Sequence, residues 1–185
     1  YKIMPKNETW RFAHLIVPSM SNHKDGILSP HMPTWIRHLA NLVTGEDVRP
    51  NRKIFITRQD AENRNIKNQE ELVMSLKGWE TVTLENLSIE EQVRTFAEAT
   101  HIVSPHGAGL TNLLWCRPDT KVYELTHEAF MHKKVYPSLS HHLKLKHTVI
   151  LCETEKLNAK KPKNKKSKDM VNLKIDIPAL IRILD

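Results

Sequence analysis

The segment best suited to chemistry is a turn of small residues, S-P-H-G-A-G-L-T-N, at residues 104–112. It follows an apolar run typical of a strand and leads into helical spacing, and it uses two of the five glycines. Such a turn lets the backbone approach a ligand, and the helix start offers unpaired N–H groups and partial positive charge. This combination favours binding of a phosphate or diphosphate.

Two interpretations of this loop remain open on its residues alone. It lacks the Lys-Ser/Thr pair of a Walker loop, and Asn112 stands where the third glycine of G-x-G-x-x-G would be. A tight turn that only allows a helix to pack closely on a strand explains the two glycines equally well.

Charged side chains follow the neighbouring predicted strands. Arg58 and Arg64 come after the first strand, where guanidinium groups suit phosphate oxygens, unless they are simply solvated. Glu124, in the strand after the glycine loop, is suited to accept hydrogen bonds from ribose hydroxyls, or else faces solvent. His106 could donate to a phosphate or a sugar hydroxyl, or act as a general base.

The elements that would position these residues alternate between strand and helix. Short apolar runs predict strands at residues 53–57, 80–85, 101–104, 121–126 and 147–151. Helical spacing predicts helices at residues 34–42, 68–77, 88–99, 110–116 and 131–145, the last interrupted or kinked at Pro137. This order predicts an α/β fold with a Rossmann-like parallel sheet and helices on both faces.

Two of these helices carry specific end signals. Ser88 and Glu91 have the spacing of a capping box, and Gly78 stands where a helix end favours a left-handed residue. Near the end of the sequence, residues 171–177 alternate like a strand and a helix begins at Pro178.

The composition is that of one soluble domain, with 185 residues, 39% hydrophobic and 26% charged. Six of the net seven positive charges are lysines at residues 160–168, which leaves +1 for the rest. We expect a flexible, solvated loop there and no nucleic-acid partner, although a basic nucleic-acid-binding protein is a rival interpretation.

The remaining reactive or aromatic residues predict no further site. Cys116 and Cys152 lie in apolar surroundings without a paired spacing, so buried free thiols are expected. Trp79 and Trp115 are expected in the core. The other histidines lack ligand spacing, so we expect solvated side chains and no metal; they include His127, His132, His141, His142 and His147.

A resemblance covers the segments just described. Residues 57–72 and 87–125, and above all the H-G-A-G-L-T-N run preceded by an E-Q helix, resemble glycosyltransferase family 61, with similarity over roughly residues 37–151. The resemblance implies the C-terminal, nucleotide-sugar-binding lobe of a GT-B enzyme, inverting and independent of a metal or cofactor. Its partners would be a nucleotide-sugar donor, a UDP-sugar by resemblance, and a glycan or glycoprotein acceptor.

The resemblance also implies site residues. Glu71 and Glu91 match family positions, and the implied donor site comprises Arg58, Arg64, Asn68, Leu87, Ser88, Gln92, Gly107, Ala108, Gly109, Leu110, Thr111, Asn112 and Glu124. His106 is the catalytic candidate, with contact to the sugar donor favoured over a base role, since a base belongs on the acceptor side. A noncatalytic nucleotide-binding or protein-interaction lobe is the alternative function.

The implied organisation has four parts. Residues 1–52 would end the N-terminal lobe and connect it, residues 53–158 would bind the nucleotide sugar, residues 159–169 form the lysine-rich loop, and residues 170–185 close the domain. Unpaired cysteines slightly favour a bacterial cytoplasm over an ER or Golgi lumen, and sequons at Asn7 and Asn86 keep the lumen open. The resemblance does not specify whether the protein associates with a membrane.

Overall fold

A computed structural model of the chain describes residues 32–45, 48–58, 65–156 and 171–184. Five parallel strands form one sheet in the order β2-β1-β3-β4-β5. Their bounds are β1 Arg52–Ile56, β2 Glu80–Val82, β3 Ala99–Pro105, β4 Lys121–Thr126 and β5 Lys146–Leu151. The predicted parallel α/β sheet is confirmed, because every neighbouring pair of strands in it is parallel.

Helices cover both faces of this sheet, as predicted. Their bounds are α1 Met32–Thr44, α2 Gln69–Ser75, α3 Ile89–Ala97, α4 Val135–Leu143 and α5 Ile177–Leu184. Short 3₁₀ helices span Leu84–Asn86, Ala108–Trp115 and Glu128–Phe130. Among the described helices, none has the length and apolarity needed to cross a membrane.

Neighbouring residues of each strand pack into opposite cores. Ile54 and Ile56 join the core beneath α3, α4 and the 3₁₀ helix Ala108–Trp115, whereas Phe55 joins the core beneath α2 and α5. Trp115 packs against the first core and Trp79 against the second, as predicted. Because both faces of the sheet are covered, the inner strands β1, β3 and β4 are largely buried.

The strand order reverses direction at β1. The chain goes from β1 to β2 on one side and then returns to place β3 on the other side of β1. In open parallel sheets, ligands bind beyond the carboxyl ends of the strands at such a switch point. The loops that follow β1 and β3 are therefore the place to look for a site.

The closing segment docks on the α2 side of the sheet. Strand β7, Val171–Lys174, pairs antiparallel with β6, Glu153–Lys156, and Leu173 is fully buried in the second core. The Asn68 amide donates to the Ile175 carbonyl at 2.9 Å and accepts from the Ile175 N–H at 3.0 Å. Strand β6 was not predicted from the sequence, since the pattern at residues 153–156 is entirely polar.

Two predicted helices differ from those observed. The helix predicted at residues 110–116 begins earlier and is the 3₁₀ helix Ala108–Trp115. The kinked helix predicted at residues 131–145 is wrong at its start, because α4 begins at Val135. Pro137 thus lies in the first turn, where its missing N–H has no intrahelical partner to lose. The proposed N-terminal segment before residue 32, Arg64 and the lysine-rich run lie outside the described residues.

The capping box predicted at Ser88 is present in full. The Glu91 N–H donates to the Ser88 hydroxyl at 3.2 Å, and the Glu91 carboxylate accepts from the Ser88 N–H at 2.7 Å.

We expect Ser88→Ala to lower the free energy of unfolding by about 0.5–2 kcal/mol, as for other lost N-caps. Urea unfolding measures this loss, and Glu91→Gln, which can make the same reciprocal bond, is the matched control. An equal loss of unfolding free energy in both variants would contradict the role of the Ser88 hydroxyl as the cap of α3.

Candidate anion site at the switch point

Arg58 and Gly107 meet where the loops after β1 and β3 adjoin. A Cβ atom built on Gly107 would lie 1.8 Å from Nη1 of Arg58 and 3.0 Å from its Cζ. The guanidinium therefore occupies the space that any side chain at Gly107 would need. Gly107 has φ 169°, which is extended backbone open to any residue, so the glycine is required for this approach and not for its backbone conformation.

The Arg58 guanidinium retains hydrogen-bonding capacity. Its Nε atom is buried and has no hydrogen-bond partner among the described residues. A buried donor without an acceptor is costly, and a guanidinium binds phosphate or carboxylate oxygens in a fork. An anion held at the switch point would satisfy this donor, so the residues present fit a phosphate ligand.

Gly109 serves a different purpose from Gly107. A Cβ atom at Gly109 would lie 2.8 Å from Leu84 Cδ1 and 3.9 Å from Ile56 Cγ2. Its missing side chain allows the 3₁₀ helix Ala108–Trp115 to lie directly on β1 and on the segment after β2. Each of the two interpretations of the loop thus applies to one of its glycines. Gly109 allows close packing of the helix on the strand, and Gly107 leaves room for the Arg58 guanidinium.

The rest of the predicted loop faces in several directions. Ala108 and Thr111 are exposed, whereas Leu110 is buried in the first core. Because the helix is a 3₁₀ helix, the N–H of Leu110 already bonds to the Gly107 carbonyl at 3.0 Å. The predicted contact of these amides with a diphosphate stays a prediction.

Gln92 and Asn112 form an internal hydrogen-bond network. Asn112 Nδ2 donates to Gln92 Oε1 at 3.0 Å, and Trp115 Nε1 donates to Asn112 Oδ1 at 3.2 Å. Gln92 Nε2 donates to the carbonyls of Leu84 and Leu87 at 3.2 and 3.1 Å. These bonds join α3, the segment after β2 and the glycine loop, so both amides hold the loop in place.

Three further predicted residues lie in structural contacts. Ser88 caps α3, Leu87 packs partly buried against the first core, and the Asn68 amide is bonded to Ile175. Glu71 is exposed on α2. Whether any of them also contacts a ligand stays a prediction, and Arg64 lies outside the described residues.

Beneath the loop, a chain of buried polar side chains connects β3, β4, β5 and α4. His106 Nδ1 bonds to Glu124 Oε1, and His147 Nε2 bonds to Glu124 Oε2 at 2.9 Å. The Ser140 hydroxyl lies 2.7 Å from His147 Nδ1. We call these four residues the polar array. Both oxygens of Glu124 already accept hydrogen bonds, so a ribose hydroxyl would have to share one of these oxygens with a histidine. The predicted contact of Glu124 with ribose stays a prediction.

Two buried histidines, one of them in the polar array, were missed from the sequence. Solvated histidines were the expectation, but the side chain of His147 is only 6% exposed and His127 is also buried, so that expectation is wrong for both. Register explains His147, since it pairs with Val122, two residues before Glu124 on the same face of β4. Alternation within two adjacent strands was the signal that could have found it.

The electrostatics of the array favour an ionised Glu124. Burial alone would raise the pKa of this carboxyl group, but the hydrogen bonds and charges of His106 and His147 outweigh it, and the pKa lies below its usual range. Elsewhere, burial raises the pKa of the Cys152 thiol to about 12, and Cys116 is buried too, so neither thiol ionises readily. Within the described residues, no group of three or more His, Cys, Asp or Glu side chains is arranged to hold a metal ion.

Known proteins resemble this chain over part of its length. A family model described as Glycosyltransferase 61 matches residues 3–123. A beta-1,2-xylosyltransferase of Oryza sativa subsp. japonica is 29% identical over 89 residues, an alignment covering 43% of this chain and 16% of that protein. The aligned part is thus about a sixth of the length of this relative.

Proposed function

Because the chain belongs to the glycosyltransferase 61 family, we propose that it binds the diphosphate of a nucleotide sugar at the switch point, as part of an inverting, metal-independent glycosyltransferase. The single observation that carries the proposal is the Arg58 guanidinium, seated against Gly107 with a buried donor to satisfy. The family membership predicted from residues 87–125 is confirmed. The GT-B architecture is part of the proposal.

The main requirement that the proposed reaction places on these residues is to stabilise negative charge on the leaving group. In an inverting transfer, an acceptor hydroxyl attacks the anomeric carbon, the bond from that carbon to the phosphate oxygen breaks, and the nucleotide diphosphate leaves with the electron pair. Negative charge grows on the leaving phosphate, and fixed positive groups stabilise it. Arg58 and the amides at the start of the 3₁₀ helix Ala108–Trp115 would supply that charge.

The name of the rice relative suggests which sugar to test first. That protein is a xylosyltransferase, so we propose UDP-xylose as the first candidate donor, with a glycan or a protein-linked glycan as the acceptor. The proton of the acceptor hydroxyl would pass to a base on the acceptor side. Assays of donor hydrolysis and of transfer with the full-length protein separate a transferase from a noncatalytic lobe, which would bind UDP-xylose but turn over none.

We expect Arg58→Ala to weaken binding of UDP to the chain by about 10- to 100-fold. Hydrogen bonds to charged groups contribute about 1.5–3 kcal/mol, and every 1.4 kcal/mol is about tenfold in affinity. Isothermal titration calorimetry measures the change. Arg182→Ala, which removes an exposed arginine of α5, is the matched control and should bind UDP like the wild type. Equal affinities of the Arg58 and Arg182 variants would rule out this site.

A further inference from the structure

A second group of cationic side chains lies at the opposite edge of the sheet from the switch point. Pro118 and Lys144 belong to the loops that precede β4 and β5, and the Asp119 N–H joins these loops by donating to the Lys144 carbonyl at 2.8 Å. The amino end of β4 is about 20 Å from its carboxyl end, because each residue of a strand rises about 3.3 Å. A ligand at this edge is therefore separate from the proposed nucleotide-sugar site.

A cavity of about 290 Å³ opens at this edge between α1 and the end of α4. We call it the amino-edge cavity, and the residues that line it are Thr34, Arg37, Pro118, His142, Leu143 and Lys144. Its volume is at the lower end of the range of small-molecule sites, so it suits a single phosphate or carboxylate group better than a whole nucleotide.

Arg117 is next to this cavity and has an unused donor. It directly precedes the lining residue Pro118, and its Nη2 atom donates to Asn41 Oδ1 at 3.0 Å, one turn of α1 from Arg37. Its Nε atom is buried and has no hydrogen-bond partner among the described residues. Because a buried donor without an acceptor costs free energy, this position favours an acceptor supplied by a ligand.

The positive charges around the cavity are not neutralised by acids of the described ranges. Within those ranges, Arg37, Arg117 and Lys144 take part in no ion pair. Asp119, the acid nearest to Arg117 in the sequence, pairs with Lys146 at 3.1 Å instead. Burial and then the positive charge of Arg117 lower the pKa of Arg37, so the two guanidinium groups repel each other. An anion between them would relieve this repulsion.

We propose that the amino-edge cavity binds an oxyanion, a phosphate or a carboxylate group, between the guanidinium groups of Arg37 and Arg117. Guanidinium groups stay charged, and their forked donors match the paired oxygens of both anions. Lys144 at the rim adds a third positive charge. The site goes beyond the proposed function, because it lies at the other edge of the sheet and needs no nucleotide sugar.

Inorganic phosphate is the first probe, followed in ¹H–¹⁵N spectra of the arginine Nε–H groups of the full chain. We expect the Nε–H signal of Arg117 to shift and reach saturation as phosphate replaces chloride at constant ionic strength. Arg182, whose Nε donates to the Pro178 carbonyl of its own helix at 3.2 Å, is the internal control and should not shift. A shift of Arg117 that grows without saturation would overturn the proposal, because it would report only a general effect of salt.

A pair of variants tests whether Arg37 contacts the anion. Arg37→Gln should weaken phosphate binding, measured at the Arg117 signal, by about 10- to 100-fold, as expected for one lost charge-assisted hydrogen bond. Arg49→Gln removes the same charge from an exposed position after α1 and should bind phosphate like the wild type. Equal weakening in the two variants would overturn the proposal, because it would show that only the net charge matters.

Arg58→Ala separates the two anion sites. This variant should keep the phosphate response of Arg117, and loss of that response would overturn the inference by assigning the phosphate to the switch point. If the wild type binds no UDP-sugar but its Arg117 signal saturates with phosphate, the proposed function fails and this inference stands.

Acetate in place of phosphate identifies the source of the oxyanion. Saturation of the Arg117 signal by either anion supports the site. Tighter binding of acetate indicates the carboxylate of an acidic side chain as the natural occupant, and tighter binding of phosphate indicates a phosphate group. Absence of saturation with both anions would overturn the proposal.

Discussion

Replacing Gly107 by alanine is expected to weaken UDP binding by about 10- to 100-fold while changing the thermal stability little. The new methyl group would lie 1.8 Å from Arg58 Nη1, so the guanidinium must leave its position. Losing a charge-assisted contact of about 1.5–3 kcal/mol produces this change in affinity. The extended backbone at φ 169° accepts alanine without strain. Calorimetry and thermal unfolding measure the two quantities.

Gly78→Ala is a control for which we expect the opposite result, a loss of stability without a loss of UDP affinity. Gly78 has φ +77° and open space around it, so alanine there is strained by about 1–2 kcal/mol without touching the switch point. It should unfold at lower temperature and bind UDP like the wild type. Wild-type affinity of the Gly107 variant would show that the position of Arg58 does not matter for the nucleotide.

The largest effect on stability is expected from Glu124→Ala. This carboxylate is buried and accepts from both His106 and His147, and the variant leaves both buried N–H groups without it. Each such group costs about 1–3 kcal/mol, so we expect a loss of about 2–6 kcal/mol in the free energy of unfolding. Urea unfolding measures the loss. A variant within about 0.5 kcal/mol of the wild type, the usual range for surface changes, would show that the array does not stabilise the fold.

The same carboxylate makes the stability of the folded protein depend on pH. Because its pKa is lower in the folded protein, Glu124 adds stability that is fully present above its unfolded-state pKa and is lost as the pH falls through the folded-state value. The stability difference between the wild type and Glu124→Gln should therefore be greatest near neutral pH and shrink below about pH 4. Parallel stability curves for the two proteins would contradict the shifted pKa.

Local patterns explain which parts of the fold were predictable. The five strands follow from short apolar runs, and α3 follows from Ser88 and Glu91, whose bonds lie within one helical turn. Arg58 and Gly107 were placed correctly on one edge because parallel strands bring their carboxyl ends together. Their contact with each other depends on strand order, which the sequence does not state.

The parts that were missed depend on partners far along the chain. The sequence places Gln92 on the surface of a helix. In the structure its side-chain amide donates to the Leu84 carbonyl after β2 and accepts from Asn112 of the 3₁₀ helix. His147 reads as a strand-end polar residue until the register of β4 and β5 sets it beside Glu124. The bonds from Glu124 to the two histidines and from Asn112 to Gln92 join positions separated by 18 to 23 residues, where spacing carries no signal.

The docking of the closing segment has a consequence for how this protein is made. Asn65 and Asn68 bond to Asn172 and Ile175 across a separation of 107 residues, and Leu173 and Leu180 complete the core over Phe55. A nascent chain emerging from the ribosome can assemble the α3 and α4 side early, but the α2 side stays partly uncovered until residues 171–184 are synthesised. Newly made molecules therefore expose part of an apolar surface until that stretch has been synthesised, and transiently exposed apolar surface makes a folding chain prone to aggregation.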